Sequence, residues 1–145
     1  FFDSTSRTFF ITGVQLEVGQ NPTSFEHINN FGEELARCQR YYQRYPFISE
    51  ATSGLVAHQY NTTNAYGGFR FKRVMRVEPT FSLTADANDF TVYNEGAGRA
   101  VSAVASDGMH VDGCSLGFAT SSATAGNATA VNGNADAGFQ FDSEL

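Results

Sequence analysis

From Leu55 onward, apolar residues fall at every second position in short runs. Leu55 and Ala57 alternate with Val56 and His58, Phe69 and Phe71 with Arg70 and Lys72, and Phe81 and Leu83 with Ser82 and Thr84. Phe90 and Val92 alternate with Thr91 and Tyr93. Period 2 is the strand period, because successive side chains on a strand point to opposite faces. Turn clusters such as Asn61–Asn64, Asn94–Gly98 and Ser106–Gly108 cut the chain into short runs. Val101–Val104, Met109–Phe118 and the pair Phe139/Phe141 offer further strands. About eight short strands predict an all-β domain, a β-sandwich or jelly roll. Fourteen Phe and fourteen Gly suit that class, since aromatic residues favour strands and glycines favour turns.

Upstream the pattern differs. Thr8 to Val18 reads as one strand, with Phe10, Thr12, Val14, Leu16 and Val18 on one face, stopped by Gly19-Gln20-Asn21-Pro22. Gly32 to Arg44 reads as a helix. Glu33 and Glu34 lie in its first turn and Arg40 and Arg44 in its last, which suits the helix dipole, and Pro46 ends it. Leu35, Cys38 and Tyr42 form a narrow apolar stripe, which would face either a domain surface or the same helix of a symmetry mate. Ala119 to Gly138 is rich in Ala, Ser, Thr, Gly and Asn and would pass alone for a linker. The Phe-bearing end beyond it predicts an ordered loop or thin strand pair instead.

The net charge is −6, with a single Lys. That balance argues against a phosphate-tracking surface, hence against nucleic acid, and against a polybasic membrane anchor. No run of about 18 apolar residues is present, so no membrane insertion by a helix is expected. Cys38 and Cys114 stand alone, without metal spacing, and are expected as free thiols. A start at Phe1-Phe2 predicts a partial or processed chain whose first residues finish an upstream domain.

No catalytic constellation emerges. Gly96-Ala97-Gly98-Arg99 lacks the Lys and the helix of a phosphate loop and reads as a turn. Asp107, His110 and Asp112 are residue types that ligate metals or move protons, but Asp107-Gly108 and Asp112-Gly113 are ordinary turn dipeptides. Asp86 and Asp89 lack the Gly and Glu of a calcium loop. No metal and no cofactor are expected.

The stretch "FFITGVQLEVGQNPTSFEH" (Phe9 to His27), followed by "GEELARCQRYYQRY" (Gly32 to Tyr45), resembles the distal region of tailed-bacteriophage tail fibres and related virion proteins. There a lectin-like jelly roll ends in a "GVQLEVG…ATPFE" strand, and an "EELALCQRYY" helix leads into a C-terminal β domain. "VMRVEPTFSL" (Val74 to Leu83) is similar to that domain's "MRxxPT" strand, and "FDSEL" (Phe141 to Leu145) to its acidic-Leu terminus. The sequence departs in "NPTSFE" (Asn21 to Glu26) and throughout the loops from Val101 to Gly138. The resemblance implies a homotrimeric module displayed on the virion, outside the cell, that binds host surfaces beside other tail proteins.

The expected organisation is therefore a terminal strand and linker over residues 1–28, a connecting helix over 29–46 and a C-terminal β-sandwich tip over 47–145. Leu35, Cys38 and Tyr42 are the expected trimer contacts. Sugar recognition needs aromatic faces for the C–H side of a pyranose and polar groups for its hydroxyls. His58, Tyr60, Asn64, Tyr66 and Tyr93 are the candidate residues for a bacterial cell-surface glycan or other host receptor. The leading expectation is a non-enzymatic adhesion module. The alternatives are a purely structural virion trimer and a fragment of a tailspike depolymerase or esterase.

Overall fold

A computed structural model describes residues 30–47 and 53–143, with isolated positions 14, 16, 19, 21 and 24. The strand expected over Thr8–Val18, and the linker to residue 28, lie outside the described residues.

The helix α1 spans Phe31–Cys38. Asn30 caps it, its Oδ1 accepting from the Gly32 amide at 3.0 Å, and Glu33 pairs with Arg37 one turn on at 3.2 Å. The helix is shorter than the expected Gly32–Arg44. Arg40 and Tyr41 close tight turns onto the Arg37 and Cys38 carbonyls, and the chain then becomes strand β1, Tyr42–Pro46. Two periods compete here, and the strand period wins. It buries Gln43 and turns Tyr45 onto Phe69 and Phe141, whereas a continued helix would leave these groups in water. Residues 42–46 thus belong to the sheet, and Tyr42 is not on the helical stripe with Leu35 and Cys38.

Nine further strands follow: β2 (Ser53–Gln59), β3 (Asn64–Arg70), β4 (Thr80–Leu83), β5 (Phe90–Asn94), β6 (Ala97–Ala100), β7 (Ala103–His110), β8 (Gly113–Ala119), β9 (Ala128–Gly133) and β10 (Gly138–Asp142). They form two antiparallel sheets. The smaller has the order β1-β10-β4 and the larger β6-β5-β9-β2-β3-β8-β7. The fold is all-β and sandwich-like. A two-residue hairpin joins β5 to β6, with Glu95 at φ 54° and Gly96 at φ 76°. Positive φ at both central positions is the type I′ geometry that matches strand twist, and Gly96 supplies the second at no steric cost. The Gly-Ala-Gly-Arg stretch is therefore this hairpin. Ser106-Asp107-Gly108, expected as a turn, instead lies inside β7. The register to β8 shifts between Asp107 and His110, and Gly108 takes φ 55°, a bulge.

Alternation in every strand turns one face of each sheet inward. Phe90, Phe118, Phe139, Phe141, Leu116, Val92, Val101 and Val131 are completely buried between them. Phe139 on β10 is the hub. Its ring stacks on Phe90 at 5.4 Å and meets Phe47, Phe69, Phe81 and Phe118 within 6.2 Å. The Ala- and Asn-rich stretch is ordered, and its β9 sits at the centre of the large sheet between β5 and β2. Val131 and Thr129 face the core from it, while Ala128, Ala130 and Asn132 face outward.

Buried polar side chains tie the loops to the sheets. Gln43 donates to the Gln39 and Arg73 carbonyls at 2.8 and 2.7 Å and accepts from the Lys72 amide at 3.0 Å and from the Tyr45 hydroxyl. One residue thereby fastens the end of α1, β1 and the loop after β3. Asn94, also fully buried, pairs its amide with the Thr124 backbone in both directions, at 3.0 and 3.3 Å.

Candidate functional site

The outer face of the seven-stranded sheet carries most of the aromatic candidates. Because paired residues share a face, the register places Tyr93, Ala130 and Val56 in one row across β5, β9 and β2. His58 and Tyr66 stand opposite each other two residues further on, their ring centroids 6.4 Å apart. Tyr60, just past β2, meets Tyr66 edge-on at 5.9 Å. Two strand spacings and two residues separate Tyr93 from His58, about 12 Å in all. The floor between them is nearly featureless, made by Ala128, Ala130 and the exposed Val56.

Both tyrosines lie down on a glycine of the next strand. A Cβ at Gly117 would meet the Tyr66 ring at 2.9 Å, and one at Gly98 would meet the Tyr93 ring at 3.3 Å. One ring face is thus seated against backbone, and Tyr93 and Tyr60 stay 42% and 67% exposed. Seated rings lose little entropy on binding and offer an apolar plane to a ligand.

Not every polar side chain near these rings is available. The Asn64 amide donates to Asn61 Oδ1 and Thr63 Oγ1, closing the β2–β3 turn. Glu95 accepts from the Thr124 hydroxyl and the Asn127 amide at 2.8 and 2.9 Å. These groups hold loops rather than face solvent unpaired.

Beside Tyr93 lies a polar groove of about 260 Å³, lined by Asn88, Asp89, Thr91, Tyr93, Asn132 and Asn134. Its walls are the short 3-10 turn Ala87–Asp89 and the turn after β9. Asn134 bridges them, its backbone amide donating to the Asp89 carbonyl at 3.0 Å and its side chain to Asp89 Oδ1. Sequence reading passed over Asn88, Asn132 and Asn134. Only Thr91, two residues before Tyr93 and so on its face, was within reach of the strand period.

At the far edge, His110 Nδ1 lies 2.9 Å from Asp112 Oδ1, and Arg70 takes the other carboxylate oxygen. The His110 hydrogen bond, aided by the Arg70 charge, holds the Asp112 carboxyl below its ordinary value. Asp107 stays on the exposed face of β7. Among the described residues no three His, Cys, Asp or Glu side chains converge to hold a metal ion. Burial pushes the Cys114 thiol up to about 11, while Cys38 is exposed.

Of the expected trimer contacts, Leu35 and Cys38 lie on α1, which buries no residue, and Phe31 extends their stripe at 79% exposed. Tyr42 projects from the outer face of the small sheet at 42% exposed.

Comparison with protein-family models, with curated proteins and with solved structures finds no match to this chain.

Proposed function

We propose that this chain is the distal part of a bacteriophage tail fibre, a non-enzymatic homotrimeric module adhering to bacterial surface glycans. The observation that carries the reading is the outer sheet face, where His58, Tyr66 and Tyr93 stand around a flat, small-residue floor with Tyr60 at its edge. Aromatic planes beside polar side chains are the chemistry a saccharide needs. The resemblance of "GEELARCQRYYQRY" to the fibre connecting helix supplies the biological setting. The Phe31/Leu35/Cys38 stripe on a helix without a buried residue supports self-association, since a helix of this length is marginal unless it packs on something. A shallow site gives modest affinity alone, and three copies raise avidity by roughly 10²–10⁴.

The test is adsorption of the purified chain to a panel of bacterial strains, with Tyr60, Tyr66 and Tyr93 each changed to Ala. At least one substitution reduces adsorption if the reading is right. Release of oligosaccharide from the surface polysaccharide would favour the depolymerase alternative. Absence of adsorption to any strain would favour the structural one. The expected result of light scattering is a trimer, weakened by Leu35→Asp, which would place three carboxylates close together, and a stable monomer would overturn the assembly.

A further inference from the structure

We infer that the groove between the Ala87–Asp89 turn and β9 is a subsite for a single uncharged sugar ring, stacked on Tyr93. The inference rests on the adhesion reading and narrows it to a place and a ligand class. The groove's roughly 260 Å³ is small beside pockets for drug-sized ligands, and it matches one ring rather than a chain of them. Its walls are fixed before any ligand arrives. Asp89 Oδ2 accepts from the Asp86 amide at 3.1 Å, and Asn134 Oδ1 accepts from the Asp136 and Ala137 amides at 3.0 Å each. With the Asn134–Asp89 bridge, both turns are braced, so binding has little ordering to do.

What remains open is suited to hydroxyls. The side chains of Asn88, Thr91 and Tyr93 are not engaged in hydrogen bonds among the described residues, and they offer an amide and two hydroxyls beside one aromatic plane. Charge decides between sugar classes. The lining contains one carboxylate, Asp89, and no Lys or Arg. The cation on the next strand, Arg99, pairs with buried Val92 and so projects to the core side of the sheet. A uronate or sialate would bring its negative charge to Asp89 without a partner. A neutral hexose would not.

The experiment is saturation-transfer NMR and calorimetry with methyl glycosides of glucose, galactose, mannose and N-acetylglucosamine. Methyl glucuronide and methyl N-acetylneuraminide are the anionic comparison. The expected result is binding of at least one neutral glycoside, weakened about tenfold in Tyr93→Ala and less in Tyr93→Phe, which keeps the ring and loses only the hydroxyl. The anionic glycosides bind at least tenfold more weakly. Thr91→Val keeps the strand and removes one hydroxyl, so it weakens binding without touching the stack. Equal or tighter binding of an anionic glycoside, indifference to Tyr93→Ala, or binding of none of the six overturns the subsite. Cell adsorption separates the two levels. Loss with Tyr66→Ala but not with Tyr93→Ala removes the groove and leaves adhesion standing. A parent chain that adsorbs to no strain removes both.

Discussion

Replacing Gln43 with leucine tests whether one buried amide holds the helix to the sheet. The side chain is 3% exposed and makes four hydrogen bonds, to Gln39, Arg73, Lys72 and Tyr45. Each is worth about 1 kcal/mol net, so their loss costs about 4 kcal/mol. The Lys72 amide is partly protected, since it also donates to the Tyr45 hydroxyl at 2.8 Å. The leucine recovers about 1 kcal/mol by burying apolar surface. The expected loss is therefore about 2–3 kcal/mol, a large share of the 5–15 kcal/mol typical of a domain. Urea unfolding followed by circular dichroism measures it, and the midpoint falls with an unchanged slope. Gln43→Glu adds a sign. It removes both donors and sets a carboxylate against the Gln39 and Arg73 carbonyls, so the folded state raises its pKa. The folded form then binds the extra proton, and the variant's deficit grows as pH rises above about 4.3. A Gln43→Leu variant within 0.5 kcal/mol of the parent, or a Gln43→Glu deficit that does not change with pH, would refute the argument.

Phe139→Ala removes the ring that touches five others and costs about 3–5 kcal/mol, read as a fall in thermal midpoint, with Phe139→Leu much milder. With a thiol reagent at pH 8, at a dilution where the chain is monomeric, the folded chain gives one fast equivalent, from exposed Cys38. The second appears only in denaturant, because Cys114, pushed up to about 11, holds almost no thiolate. Two fast equivalents would mean that β8 opens readily. The depressed Asp112 carboxyl stabilises the fold above its ordinary 3.8, and this contribution disappears as pH falls through the lower folded value. Unfolding of the parent between pH 5 and pH 2 is therefore steeper than that of Asp112→Asn, with the carboxyl itself followed by NMR.

Where alternation is written in large side chains, the sequence shows the strand directly. Phe90/Val92, Phe81/Leu83 and Phe139/Phe141 announce β5, β4 and β10 because their inner positions need bulk to fill the core. β9 is nearly silent. Its outward residues Ala128, Ala130 and Asn132 have low strand preference, and only Val131 is large on the inner side. Its place depends on pairing with β5 and β2, which are distant in sequence. The end of α1 was obscured for a related reason. Tyr42 fits a helical stripe and a strand equally, and only the partner β10 distinguishes the two. The candidate site divides the same way. His58, Tyr60 and Tyr66 flank one turn and were legible as a group, whereas Tyr93 joins Asn132 and Asn134 only through β9.

The central position of β9 also governs how the chain can fold. Strands β2, β3, β8 and β7 form one set of neighbours, β5 and β6 another, and β9 alone joins them. Until residues 128–133 arrive, the flanks of β2 and β5 that β9 will cover are bare strand edges. Such edges recruit other chains as readily as their own partner. Closure over so long a loop is slow, because its entropy is lost before any contact compensates it. The interval between making β6 and inserting β9 is thus the period of greatest risk for a nascent chain. A truncation before residue 128 would prolong it indefinitely, leaving two incomplete sheets that associate with their neighbours rather than a smaller version of the domain.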